Sequence, residues 1–355
     1  MRILWVLVLA AAALPAAAQE GPADRLWDLY REGRFEEVVT RGKAELTAGT
    51  PTAQVNLAVG RALVDLEKFQ ESLLYLETAV LQDSDQTWIY AWAKVYLGSA
   101  HFRLGAREMA QAAWSQARDC AATPNATRAA VDNLKLLGLA ASYDRWRTFS
   151  SEHFEFHYSP RLEDFDGVAY ARRHEEAFAA VTAWCGAVPA DRILFFVWAD
   201  SAEAGAAGLP PVGFARPKLN LVHVAVDQTV GREMTRVITA RALRPAVVVG
   251  LIDDGLAVYH DQSGGDRLER ARRALEASPA PAVRVSVAAL WEDGSLLPEE
   301  ITASLGAAWV DMLVTRGGRT RFLEFFRDQR LSHARAVYGS DLETWLEELD
   351  AALYR

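Results

Sequence analysis

The chain has 355 residues, 51% of them hydrophobic and 24% charged, with 38 Lys and Arg against 47 Asp and Glu, 7 His and 2 Cys. That composition excludes a disordered chain, a collagen and a disulfide-built miniprotein, and the length suits two domains of ordinary size. A formal net charge of −9 with no clustered basic stripe argues against a nucleic-acid partner and against an anionic membrane surface.

In chain order the first feature is a leader. Arg2 supplies a positive start, Leu4 to Leu14 is apolar throughout, Pro15 breaks the run, and Ala16-Ala17-Ala18 before Gln19 fits a signal peptidase site. This predicts a signal peptide over residues 1–18 and export to a periplasmic or extracellular space. Downstream, the longest uncharged apolar run, Pro245 to Ile252, is far too short to span a bilayer, so no transmembrane segment is expected in the mature chain. Export places Cys120 and Cys185 in an oxidising compartment, but they stand 65 positions apart and the residues leave open whether they pair.

Residues 19–142 carry an internal repeat. Gly33-Arg34-Phe35, Glu67-Lys68-Phe69 and Gly105-Ala106-Arg107 each introduce a helical segment, and Phe35 and Phe69 are 34 residues apart. Leu97-Gly98 followed by Ala110, Trp114 and Ala117 has the 3-to-4 spacing of one helical face, where small residues admit close approach and Trp fills the gap. Gly60 and Ala79 hold the same places one unit earlier. The pattern resembles the tetratricopeptide repeat, which implies three helix pairs and a closing helix, Arg128 to Ala141, with a concave face that suits a peptide or protein partner. Trp88, Tyr90, Trp92 and Tyr96 form an aromatic run whose helical spacing fits packing in the core or on that face.

A polar connector, residues 143–150, is read as a linker, and after it the period changes. Phe154, Phe156 and Tyr158 alternate with Glu155 and His157 as in a half-buried strand, Asp166 to Trp184 is helical, and Ile193 to Trp198 and Leu219 to Val226 are apolar strands. Helices follow over Val230 to Leu243, about Ala246 to Gln262, and most of the remainder. Strands first and helices afterwards give an α+β class for residues 151–355.

Four landmarks in that stretch resemble the peptidase-MA-like branch of the gluzincin zinc metallopeptidases: the entry Ser151-Glu152-His153-Phe154, the strand Leu219 to Val226, the sequence Leu251-Ile252-Asp253-Asp254-Gly255-Leu256-Ala257-Val258-Tyr259, and closing helices around Leu305 to Gly318 and Phe322 to Phe326. The family carries H-E-x-x-H on its active-site helix, since residues i and i+4 share a face and hold one zinc while the Glu acts as general base. Here the aligned residues are Arg232-Glu233-Met234-Thr235-Arg236. A guanidinium has no lone pair for a metal, so no cofactor is expected. By the resemblance Glu233 is a vestigial general base, and Asp254, 18 positions after Arg236, occupies the third ligand's place. Arg232 and Arg236 balance Glu233 and Asp254 in charge, as zinc would balance two carboxylates. The expectation is a salt-bridge cluster linking two helices in the metal's stead.

The resulting reading is an exported pseudo-peptidase that binds a protein or peptide, with the strand containing Leu219, Leu221 and His223 as a sheet edge for β-augmentation. Two other readings stay open: a zinc-dependent hydrolase with atypical ligands, and a repeat scaffold in which the second unit is a spacer. His223 and His260 fit no metal motif. There is no nucleophile elbow, phosphate loop or dinucleotide fingerprint.

Overall fold

A computed structural model describes residues 21–49, 52–138, 145–210, 213–277 and 284–355, and these form an α+β protein with one five-stranded mixed sheet. The expected signal segment lies outside the described residues. No helix among those residues is long and apolar enough to cross a membrane.

Seven helices come first: α1 (Pro22–Arg31), α2 (Phe35–Thr47), α3 (Ala53–Asp65), α4 (Phe69–Gln82), α5 (Trp88–Arg103), α6 (Arg107–Cys120) and α7 (Pro124–Gly138). Each packs on the next, and α1, α3, α5 and α7 also touch in succession, so the odd-numbered helices make one layer. The glycines the repeat places on α3 and α5 are there because of what faces them. A Cβ at Gly60 would come 2.6 Å from Leu76, and one at Gly98 would come 2.3 Å from the Trp114 indole. That indole is fully buried and donates to the Val95 carbonyl at 3.0 Å. The turn joining each pair needs a left-handed residue, and Gly33 and Gly105 supply it. The middle turn uses Glu67 at φ 60°, a conformation that costs a side-chain-bearing residue about 1 kcal/mol.

The second unit begins earlier than the linker reading allows. Residues 147–150 are strand β1 (Arg147–Ser150), antiparallel to β2 (Phe154–Tyr158), and Trp146 just before it is buried. After α8 (Gly167–Cys185) come β3 (Ile193–Trp198), the short α9 (Ser201–Ala206), β4 (Phe214–Arg216) and β5 (Leu221–Ala225). The spatial order is β1-β2-β3-β5-β4, with β2, β3 and β5 mutually parallel and β4 antiparallel on the outside. β3 reads Ile-Leu-Phe-Phe-Val-Trp without polar interruption because both its faces are covered. Phe195 and Val197 join Phe154, Phe156 and Phe178 in a core under α8 and α10 (Arg232–Leu243), whereas Phe196 and Trp198 join Trp146, Leu219 and the helical stack in another. The stack, the sheet and the α8/α10 pair are therefore three layers.

Helices α11 (Gly250–Tyr259), α12 (Arg267–Glu276), α13 (Val287–Glu292), α14 (Glu299–Gly317), α15 (Arg319–Phe326), α16 (Leu331–Tyr338) and α17 (Asp341–Leu353) enclose a third core around Trp291, Trp309 and Phe325. α11 and α14 cross at bare backbone: a Cβ on Gly306 would fall 2.0 Å from the Leu251 carbonyl oxygen, and one on Gly255 would fall 2.5 Å from the Gly306 carbonyl carbon. The two thiols are both free, Cys185 buried on α8 and Cys120 reaching the Gln86 carbonyl at 3.1 Å.

Candidate functional site

Arg232, Glu233, Arg236 and Asp254 meet where α10, α11 and α14 converge. Arg236 is the connector. Its Nη1 lies 3.6 Å from Glu233 Oε2 on its own helix and 3.5 Å from Asp254 Oδ1 on α11, and its Nε donates to Asp253 Oδ2 at 3.3 Å. Arg232 turns the other way and grips Glu300 of α14 with two hydrogen bonds, 2.9 and 3.1 Å, while its Nε stays 3.6 Å from Glu233. The four residues singled out from sequence are thus together, and two more belong with them. Asp253, adjacent to the anticipated Asp254, makes the shorter contact with Arg236, and Glu300 lies 68 positions along the chain from the arginine it holds.

Six charged groups in this cluster change the charge balance, since two guanidiniums now face four carboxylates. Protons take up part of the excess negative charge as pH falls through neutrality. Burial pushes the Glu233 carboxyl up to about 7, outweighing Arg236 and Arg232, with its side chain only 4% exposed. Burial likewise raises Asp253 to about 6 and raises Asp254. Glu233 Oε2 is sealed from solvent with no hydrogen-bond partner among the described residues, as suits an oxygen that spends part of its time neutral.

These side chains do not fit a zinc ion. The imidazole positions carry guanidiniums that cannot ligate, and one of them occupies the space between the carboxylates that a metal would need. Among the described residues, no group of three or more His, Cys, Asp or Glu side chains could hold a metal ion. Compared with known protein families, with curated proteins and with solved structures, the chain matches none of them.

The expected edge strand is corrected by the sheet order. β5 is hydrogen-bonded on both sides, to β3 and to β4, so Leu221 and His223 offer no free ladder, and Leu219 lies in a 3₁₀ turn before the strand. Three-residue β4 takes the edge, and its brevity hid it in the sequence. His223 is a core residue, stacked between Phe196 and Phe214 at 4.5 and 4.8 Å, and its Nδ1 accepts from the Trp198 indole at 3.0 Å. Burial pulls its pKa down to about 3, so the ring is neutral. His260 is packed edge-on to Trp184, and burial lowers it to about 4.

A second constellation lies between the helical stack and the sheet. Arg61 of α3 sits among four rings, with Tyr30 and Tyr96 centroids at 4.6 and 4.7 Å and Trp27 and Trp92 both at 5.3 Å. Tyr96 Oη accepts from Arg61 at 3.0 Å and from Lys218 at 2.8 Å, and Lys218 also donates to Asp65 at 2.8 Å. Burial raises the Tyr96 phenol, but Arg61 and Lys218 outweigh it and hold the group below its ordinary value. The strained Glu67 turn has its explanation nearby: Glu67 receives Arg241 from α10 at 2.8 Å, and that guanidinium is 5% exposed. Two openings of about 410 and 420 Å³ flank this constellation, both bordered by Arg61, Tyr96, Pro217 and Lys218. The signal available in sequence was Trp88, Trp92 and Tyr96 at four-residue spacing. Their partner Lys218 belongs to a turn with no pattern of its own.

Proposed function

We propose that this chain is an exported binding protein, in which a tetratricopeptide-like stack and a metallopeptidase-like unit lacking its metal hold a protein or peptide ligand in the cleft between them. The observation that carries the reading is the Arg236 guanidinium standing among Glu233, Asp253 and Asp254. A fixed cation there supplies the cross-link that zinc supplies in the resembled family, without Lewis acidity or an activated water. The two openings support a binding role, because each falls within the usual size of ligand sites. With β5 internal, a peptide would be held by side chains rather than by sheet extension.

The competing reading, hydrolysis through Glu233, has one observation in its favour, a carboxyl that titrates near neutrality. Against it, Glu233 is almost sealed from solvent and flanked by two arginines. One experiment separates the two. The purified mature protein is incubated with zinc, dialysed exhaustively, and assayed by elemental mass spectrometry and against a mixed peptide library. Zinc far below stoichiometry together with intact peptides is the expected result. Stoichiometric zinc, or cleavage abolished by Glu233→Ala, would overturn the proposal.

A further inference from the structure

Six cationic side chains border the two openings: Arg61, Arg103, Arg216, Lys218, Arg241 and Arg244. Five have carboxylate partners, with Arg103 on Asp191 at 2.7 Å, Arg216 on Asp132 at 3.7 Å, Lys218 on Asp65 at 2.8 Å, Arg241 on Glu67, and Arg244 on Glu36 at 3.4 Å. Arg61 has none within 4.0 Å among the described residues, and it stands where the openings meet. The surrounding rings stabilise a guanidinium through their π faces, and Asp65, which is bound to Lys218, acts on it only beyond ion-pair distance. Its Nε–H is buried without an acceptor, so its donor capacity is not used up by Tyr96. Its surroundings are apolar on the side of the 410 Å³ opening, where Phe35, Val64, Phe69 and Pro245 form the wall.

We infer that Arg61 is the anchor of a binding site for an organic carboxylate with an apolar body, the carboxylate pairing with the guanidinium beside Tyr96 and Lys218 and the body lying against Phe35 and Phe69. A planar fork meeting a planar carboxylate uses two of the N–H donors that Tyr96 leaves free. A volume near 400 Å³ admits a body of about two or three residues, or an acyl chain of similar bulk. The inference rests on the proposed binding role only in placing a ligand in this cleft, and it is independent of the zinc question.

The test uses the full mature chain. Trp27 and Trp92 flank Arg61, so their emission reports an arriving ligand, and calorimetry measures affinity. The probes are octanoate, acetyl-Leu-Phe with a free carboxylate, acetyl-Leu-Phe amide, and acetate. Saturable binding of octanoate alone identifies a free acid as the ligand class. Binding of the peptide acid with the amide silent identifies a chain terminus. In either case acetate binds at least tenfold more weakly, and Arg61→Met loses at least tenfold in affinity while still unfolding cooperatively. Arg61→Lys retains measurable binding and guards against a fold defect. The inference is overturned if no probe binds at about 1 mM, if amide equals acid, if acetate equals octanoate, or if Arg61→Met binds unchanged.

Discussion

Replacing Glu233 by Gln leaves the shape of the α10–α11–α14 junction nearly unchanged and removes one titration. In the folded protein burial lifts this carboxyl from 4.5 to about 7. A group whose folded pKa is raised binds protons more tightly in the native state, so its contribution is fully present below the unfolded value and is lost as pH rises through the folded one. At about 1.4 kcal/mol per pKa unit, the parent loses about 3 kcal/mol between pH 4 and pH 8 through this residue alone. The Gln variant has no such loss. Urea denaturation of both proteins at half-unit pH steps gives the difference in stability directly, and the other titrating groups largely cancel in the comparison. The variant should gain on the parent by about 3 kcal/mol from acid to alkaline pH, with most of the change between pH 4.5 and 7. Parallel stability profiles would refute the reasoning, since they would mean that Arg236 and Arg232 hold Glu233 ionised throughout.

Three further outcomes follow from the same geometry. Arg236→Ala strips the shared cation from three mostly buried carboxylates and should destabilise by about 3 kcal/mol at pH 8, less at pH 5 where Glu233 and Asp253 are already protonated; equal losses at both pH values in urea titrations would count against the protonation scheme. Gly306→Ala places a methyl 2.0 Å from the Leu251 carbonyl oxygen, so α11 and α14 must separate, and a loss of about 3 kcal/mol or more is expected, while wild-type melting would contradict the crossing described. His223 should show imidazole proton resonances that do not move between pH 5 and 8, because its folded pKa is held near 3; its contribution to stability is complete above the unfolded value of 6.5 and declines as pH falls towards 3.

Much of the secondary structure could be read from periodicity. β3 begins and ends where its apolar run does, and the repeat on α3 to α6 marks its glycines, because each Gly must admit a particular large side chain from the next helix. What escaped the sequence depends on distant partners. Arg147–Ser150 reads as a linker in the sequence, because four residues without alternation form a strand only with β2 alongside. The resemblance makes β5 an edge, and nothing in Phe214–Arg216 announces the strand that covers it. At the candidate site, Arg232, Glu233, Arg236 and Asp254 were legible from helical spacing and the Asp-Gly-Leu-Ala motif. Asp253 was overlooked because neighbouring residues on a helix ordinarily face different ways, and Glu300 because it is placed by the Gly255–Gly306 crossing. Arg61 was invisible, as its cage draws on α1, α3 and α5 at once.

The sheet order also bears on how copies of this chain behave when crowded. Its two outer strands are three and four residues long, and each carries an arginine, Arg216 over the Phe214 ring and Arg147 over the Tyr158 ring. Pro217 follows the shorter one at once and has no N–H to offer an incoming strand. The hydrophobic strands that would template polymerisation, β3 and β5, are locked in the middle. Sheet-to-sheet growth into fibrils is therefore blocked at both rims by charge, brevity and proline while the fold is intact.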